Sequence, residues 1–297
     1  MANAAQLQNL AQKRAIKKQV LIAGISTDYW FYPASNNAKN AKNILLVHGY
    51  RGDHHGLESF AGGLEEFNIY APDLPGFGSS KPLATEHNLE NYVLWLASFV
   101  KAVGLEGSIA IGHSFGTLII ASVQSKEALF SKLICINPVA GGITKGLSRL
   151  LMQFVKLYYF AAHKLPEKLG MKMVTSFLLV DSMSAYTTKS KDKALRKWVK
   201  GQHRMHFNSF ANSHVVWEAY IASVSHVIHP FMREINVPVL FIAAELDEVT
   251  PVEEVVKLAK SLPQAQMQVV SNCGHLVHYE AAQQTVDWIR EFVGQTN

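Results

Sequence analysis

Two cysteines, Cys135 and Cys273, stand in 297 residues, and neither lies in a pattern of Cys and His spacing that holds a metal. With one in an apolar strand-like run and the other in a loop-like stretch, they fit a reduced compartment better than a disulfide framework. Charge is also sparse, at 17% of residues against 48% hydrophobic, and 19 Gly and 10 Pro are spread through the chain. That balance excludes disordered, collagen-like and low-complexity classes. The longest near-continuous apolar run, Ile109 to Val123, is broken by Gly112, His113, Ser114 and Gly116 and is too short to span a bilayer. The first 27 residues lack the apolar core and small-residue cleavage site of a secretory signal. They carry Lys13, Arg14, Lys17 and Lys18, no acid, and one Ser, which is poor in the Arg and Ser of an organelle presequence. A cytoplasmic location is the expectation.

Net charge is +5, and it is unevenly placed. Residues 141–230 hold 13 Lys and Arg against Glu167, Asp181, Asp192 and Glu218, so a basic middle segment sits on a mildly acidic remainder. No nucleic-acid-binding motif accompanies it, so a solvated basic face is expected and nucleic acid is not a predicted partner.

Periodicity supports that division. Lys18 to Ile22 and Thr27 to Tyr32 flank Ala23-Gly24 as an opening hairpin. After a polar loop over 33–42 come unalternating apolar runs at Ile44 to Val47, Asn68 to Ala71, Ser108 to Ile111 and Leu133 to Ile136, as expected of strands covered on both faces. Leu89 to Val103 repeats apolar residues at helical spacing and ends at Gly104; a second helix follows from Phe115. Strand alternating with helix implies an α/β fold on a mostly parallel sheet. From Gly141 to about Pro230 the alternation gives way to helices over Leu150 to Tyr159, Met171 to Val180 and Lys189 to Lys200. Strands resume at Val239 to Ala243 and Gln266 to Val270, with helices at Val252 to Ser261 and Glu280 to Val293. The reading is a core of residues 1–140 and 231–297 with a helical insertion, 141–230.

Chemistry concentrates on Gly112-His113-Ser114-Phe115-Gly116, placed between a strand and a helix. A serine there must turn sharply, and glycines two before and two after let strand and helix approach. The turn presents Oγ at the carboxyl edge of the sheet, with a helix N-terminus favouring negative charge behind it. A serine needs a base, and the base needs an orienting group. Of the 13 histidines, His203, His206, His214, His226 and His229 fall in the helical insertion and His87 precedes a helix. His275 follows the last strand, so its loop overhangs the edge that carries Ser114; His278 is the nearest competitor but belongs to the following helix. The loop after Val239 to Ala243 offers Glu245, Asp247 and Glu248. Asp247, short and at mid-loop, is the choice. Asn137 occupies the other position, after the preceding strand, where an acid could stand.

These residues resemble the α/β-hydrolase superfamily, specifically its serine hydrolases with a helical cap, over about Lys18 to Val293. The resemblance rests on the elbow, the chain order Ser114, Asp247, His275, and His48-Gly49 after a strand. It implies an oxyanion hole from the backbone amides of Tyr50 and Phe115, a structural role for His48, and a helical cap over 141–230. The Asp73 to Ser80 loop resembles the family's turn beside the active site and is read as scaffold. His54 and His55, adjacent in a loop, are not taken as a metal site; the chemistry calls for no cofactor.

The family covers many reactions. Serine at 114 disfavours dehalogenases and epoxide hydrolases, which place a carboxylate there. Carbon–carbon bond hydrolases of the meta-cleavage type carry Asn before the serine and Trp after the histidine, where this chain has His113 and Leu276; in the cap, Arg196 and Trp198 offer contacts for an acidic substrate. A ligand receptor on the same fold is a further alternative. The expectation is a carboxylic ester hydrolase acting on a small-molecule ester with a lipophilic part. Apolar residues of 150–180 form the cap's underside and core, and its basic exterior makes weak contact with a membrane surface. Nothing in the sequence sets an oligomeric state.

Overall fold

A computed structural model describes residues 3–35, 41–141 and 146–295, with the side chains of 146–149 excepted. Parts of the expected loop at 33–42 and the start of the insertion at 142–145 lie outside them. The described strands are β1 (Ile16–Ile22), β2 (Ile25–Tyr32), β3 (Asn43–Val47), β4 (Asn68–Pro72), β5 (Ile109–His113), β6 (Lys132–Ile136), β7 (Val239–Ala244) and β8 (Ala265–Val270). They form one sheet in the order β1-β2-β4-β3-β5-β6-β7-β8. β1 and β2 pair antiparallel, as do β2 and β4; every other pairing is parallel. The opening hairpin turns at Ala23 (φ 48°) and Gly24 (φ 83°), the two positive values that a tight primed turn needs. β5, β6 and β7 are buried at every position, which explains their unalternating sequence.

Helices cover both faces. On one lie α1 (Ala4–Arg14), α2 (Glu58–Gly63), α12 (Val277–Glu280) and α13 (Ala282–Gly294); on the other, α3 (Leu89–Val103), α4 (Phe115–Glu127), α10 (His229–Met232) and α11 (Val252–Lys260). α1 was not anticipated, although Asn3 and Gln6 form a reciprocal capping box at its start and Ala4, Leu7, Gln8 and Ala11 repeat at helical spacing on its buried face. Its backbone meets α2 so closely that a Cβ on Gly62 would lie 1.7 Å from Leu7 O.

Between β6 and β7 the chain forms α5 (Gly146–Lys164), α6 (Glu167–Val174), α7 (Phe177–Thr187), α8 (Lys193–His206) and α9 (Ser213–Val224). The expected helix over 171–180 is thus two, divided at Thr175 and Ser176, and the basic helix begins four residues later than expected, at an Asp192 cap. This helical insertion is bound to the core from three sides. Arg51, fully buried at φ 58°, sends its guanidinium into the insertion to donate to Tyr159 Oη, Val174 O and Asn208 Oδ1 at 2.8 to 2.9 Å. The 73–80 loop takes two backbone bonds, Gly78 N to Ser209 O (2.8 Å) and Ala211 N to Gly76 O (2.9 Å). Gln8 of α1 donates to Glu58 of α2 and to Gln202 of α8 (3.0 and 3.1 Å).

The apolar residues of 150–180 divide between two sides. Met152, Val155, Tyr158, Tyr159, Met171, Met173, Val174 and Leu179 are buried or half-buried, as expected of most of them, whereas Phe154, Leu157, Phe177 and Leu178 are 61 to 79% exposed.

Candidate active site

Ser114 is the single residue between β5 and α4, with φ 51° and ψ −119°, a conformation that L residues rarely adopt and that is held here by its surroundings. The flanking glycines are required sterically. A Cβ on Gly112 would lie 2.7 Å from Gly116 C, and one on Gly116 would lie 2.3 Å from Val47 O. Ser114 N donates to Ile136 O (3.0 Å), locking the turn to β6. The serine is half-buried and borders a cavity of about 380 Å³, within the range that holds a small organic ligand.

His275 borders the same cavity. Its Nδ1 is 2.7 Å from Asp247 Oδ2. Asp247 is buried at the end of β7, where Oδ2 also accepts from Thr250 Oγ1 (2.6 Å) and Oδ1 from the amides of Val249 (2.8 Å) and Thr250 (3.1 Å). Burial alone would raise its carboxyl, but His275 and the Thr250 hydrogen bonds outweigh that and hold it below the ordinary carboxylate value. The carboxylate therefore fixes Nδ1 as the protonated nitrogen and leaves Nε2 as the basic one. Among the described residues no hydrogen bond joins Ser114 Oγ to the imidazole.

The backbone of His275 is held on both sides. Its carbonyl accepts from His113 Nε2 (3.0 Å), adjacent to the serine, and from Asn137 Nδ2 (2.8 Å). Asn137, fully buried at φ 45°, also donates its amide to Ile242 O (2.7 Å) and accepts from Ala244 N (2.9 Å). One uncharged side chain thus ties the ends of β6 and β7 to the histidine loop. On the other side His275 N donates to Thr187 O of α7 (3.0 Å), so the insertion helps to set the imidazole's position.

The loop after β3 reaches the serine from a third direction. A Cβ on Gly49 would lie 3.1 Å from Ser114 Cβ and 3.2 Å from His113 O, a tight approach. Among the described residues no acceptor takes the backbone N–H of Tyr50 or of Phe115, and Tyr50 borders the cavity while its hydroxyl donates to Val216 O (2.9 Å). His48 shapes this loop: Nδ1 donates to Gly49 O (2.8 Å), Nε2 accepts from Leu74 N (2.9 Å), and the ring is buried.

His203, His206 and His226 of the insertion line the cavity, as does His278, although their positions in the sequence point away from the site. Helical spacing says which face a residue shares but not what that face covers. Burial lowers the imidazoles: His113 is pushed down to about 3 and His203 to about 4, and His278 lies well below its usual value. They stay neutral around the site. Arg196 and Trp198 do not line the cavity: Arg196 is exposed, and Trp198 packs edge-on to Tyr279 (5.2 Å). Arg51 lines it, but its guanidinium is already committed to the insertion.

Asp53, His54 and His55 bring their donor atoms within 4.8 Å of one another, a spacing that could admit a metal ion. Their hydrogen bonds account for much of that geometry: His54 Nδ1 donates to buried Asp73 (2.9 Å), and Asp53 Oδ1 caps the 3₁₀ turn 54–57 through His55 N (3.0 Å).

A family model described as alpha/beta hydrolase fold matches residues 42–282, and the chain belongs to that family. Lipase 1 of Psychrobacter immobilis is 26% identical over 294 residues, covering 93% of this chain and 83% of that protein. A 2-hydroxy-6-oxo-2,4-heptadienoate hydrolase of Pseudomonas putida is 22% identical over 94% of this chain and 96% of its own. Among solved structures, a thermophilic esterase from Thermogutta terrifontis superposes with a TM-score of 0.74 at 18% identity, covering 94% of this chain and 98% of that one.

Proposed function

We propose that the protein is a serine hydrolase of carboxylic esters that carry a lipophilic group, working through an acyl-enzyme. The observation that carries this is the placement of a positive-φ serine and an Asp247-bonded His275 on the wall of one cavity. In this reading His275 Nε2 takes the Ser114 proton as Oγ attacks the acyl carbon, and Asp247 stabilises the imidazolium. The amides of Tyr50 and Phe115 receive the oxyanion as the carbonyl becomes tetrahedral. The imidazolium then gives its proton to the departing alcohol. Water, deprotonated by the same histidine, attacks the ester on Ser114 and releases the acid. Contact between Oγ and the imidazole closes as substrate binds, since catalytic hydrogen bonds are commonly long before that.

The lipophilic preference is supported by the cavity wall, where α5, α7 and α9 contribute Leu151, Met152, Val155, Leu179, Met183 and Val224. The lipase relative supports the same class. The dienoate hydrolase is a relative of a different reaction class. Against that reading stand His113 and Leu276, and a cavity whose arginine is already engaged. Turnover on p-nitrophenyl esters of increasing chain length tests the proposal: kcat/KM should rise from acetate to medium-chain esters and vanish in Ser114→Ala. Turnover of a dienoate substrate without any of these esters would reverse the choice.

A further inference from the structure

Of the seventeen large apolar side chains exposed among the described residues, nine lie between Leu150 and Leu178, more than half of them in about a tenth of the chain. On α5, exposed Leu150, Phe154 and Leu157 are spaced by four and three residues, so they form one stripe along the solvent side of the helix, and exposed Leu165 follows directly after its end. Leu169 of α6 and Phe177 and Leu178 at the start of α7 continue the apolar exposure on adjoining helices, which Tyr158 of α5 joins through its bond to Met173 O (2.6 Å). Folding of the chain does not explain this face, because none of its exposed leucines and phenylalanines packs into the core.

Lysines dominate its charge. Lys156, Lys164, Lys168 and Lys172 are exposed on the same helices. The nearby acids are engaged: Glu167 accepts from Ser213 N and Oγ (3.0 and 2.8 Å), and Asp181 is paired with Lys200 and Arg204. Apolar residues flanked by long cationic side chains suit a layer with acyl chains below and anionic headgroups above. A second copy of the chain fits poorly, because a two-fold contact sets the same lysines against each other. The same helices form the wall of the cavity: Leu151 and Leu179, which line it, directly follow the exposed Leu150 and Leu178. No described helix is long and apolar enough to cross a membrane.

We propose that the outer face of α5 to α7 docks on the surface of an anionic lipid layer. The apolar stripe enters the acyl boundary and the lysines meet the headgroups, which brings the cavity beside the lipid. The docking does not depend on the hydrolase reading. The test is co-sedimentation of the full chain with vesicles of phosphatidylcholine, with and without phosphatidylserine. Ser114→Ala serves as the parent, so that hydrolysis does not alter the lipid. The parent should bind the phosphatidylserine vesicles more tightly, and binding should fall by roughly tenfold or more in a Phe154→Gln, Leu157→Gln, Leu178→Gln variant. Replacing the four lysines by Gln should remove the preference for phosphatidylserine. With Ser114 restored, the apolar variant should hydrolyse a short soluble ester at the rate of the unsubstituted protein, which separates lost docking from lost folding. The proposal is overturned if the parent fails to sediment with either vesicle or if the apolar variant binds as well as the parent. A lipid-free dimer that the apolar variant dissolves would also overturn it, by assigning the face to a second copy.

Discussion

Asp247 holds its charge against complete burial because four hydrogen bonds converge on its two oxygens, one of them from the His275 ring. Asp247→Asn keeps the shape but turns a donor toward Nδ1, so the imidazole takes the tautomer that cannot accept from Ser114. A fall in kcat of roughly 10⁴-fold with an unchanged fold is expected; a loss under tenfold in steady-state kinetics would remove Asp247 from its proposed role. Asn137 acts one step further out, through the His275 carbonyl. Asn137→Ala should lower kcat at least severalfold with KM little changed and cost about 1–3 kcal/mol in urea unfolding, as buried partners lose their bonds. A change confined to stability would make the residue purely structural. Ser114, Asp247 and His275 were legible in the sequence because each follows a strand, so the fold class alone delivers them to one edge. Asn137 and Arg51 were not, because their roles depend on partners that sequence spacing does not reveal. For Arg51 these lie more than a hundred residues away.

Among the elements, the sheet was the most readable and the insertion the least. Buried parallel strands announce themselves by continuous apolar runs, whereas the apolar residues of α5 and α7 were assigned inward and partly face out. A hydrophobic residue carries no label for which side of a helical insertion it serves. Helix α1 has a capping box but only a short buried face in the sequence, and its packing makes a sharp test. Gly62→Ala places a methyl group onto the Leu7 carbonyl, so α1 must lift from α2, a strain of typically 1–3 kcal/mol. Its Gln8 link to Gln202 should loosen with it. Thermal melting should show the drop, together with faster proteolysis ahead of Arg14; an unchanged melting temperature would mean that α1 does not strap the insertion to the core. Arg51→Met tests the opposite side of the same joint. Tyr159, Val174 and Asn208 lose their donor, and about 1–3 kcal/mol or more should be lost in urea unfolding.

For the molecule as a whole, three buried histidines tie stability to pH on the acid side. His113, His203 and His278 titrate below 6.5 when folded, because burial disfavours their charged forms. In the unfolded chain they take up protons near 6.5. As pH falls from about 6.5 toward 4, the unfolded state therefore binds more protons and stability declines, by up to about 1.4 kcal/mol per pH unit for each histidine. Asp247, held below the ordinary carboxylate value, adds to the loss as pH drops through the acid range. Melting temperature should therefore slope downward from pH 7 to pH 5; a flat profile would mean that these imidazoles are not neutral in the fold. The central claim, that Ser114 forms the acyl-enzyme, is tested most directly by rapid quenching during turnover of a p-nitrophenyl ester, followed by peptide mass spectrometry. The account predicts the acyl mass on the peptide carrying Ser114, and neither adduct nor turnover in Ser114→Ala. An acyl group on another residue, or full turnover without the serine, would contradict it.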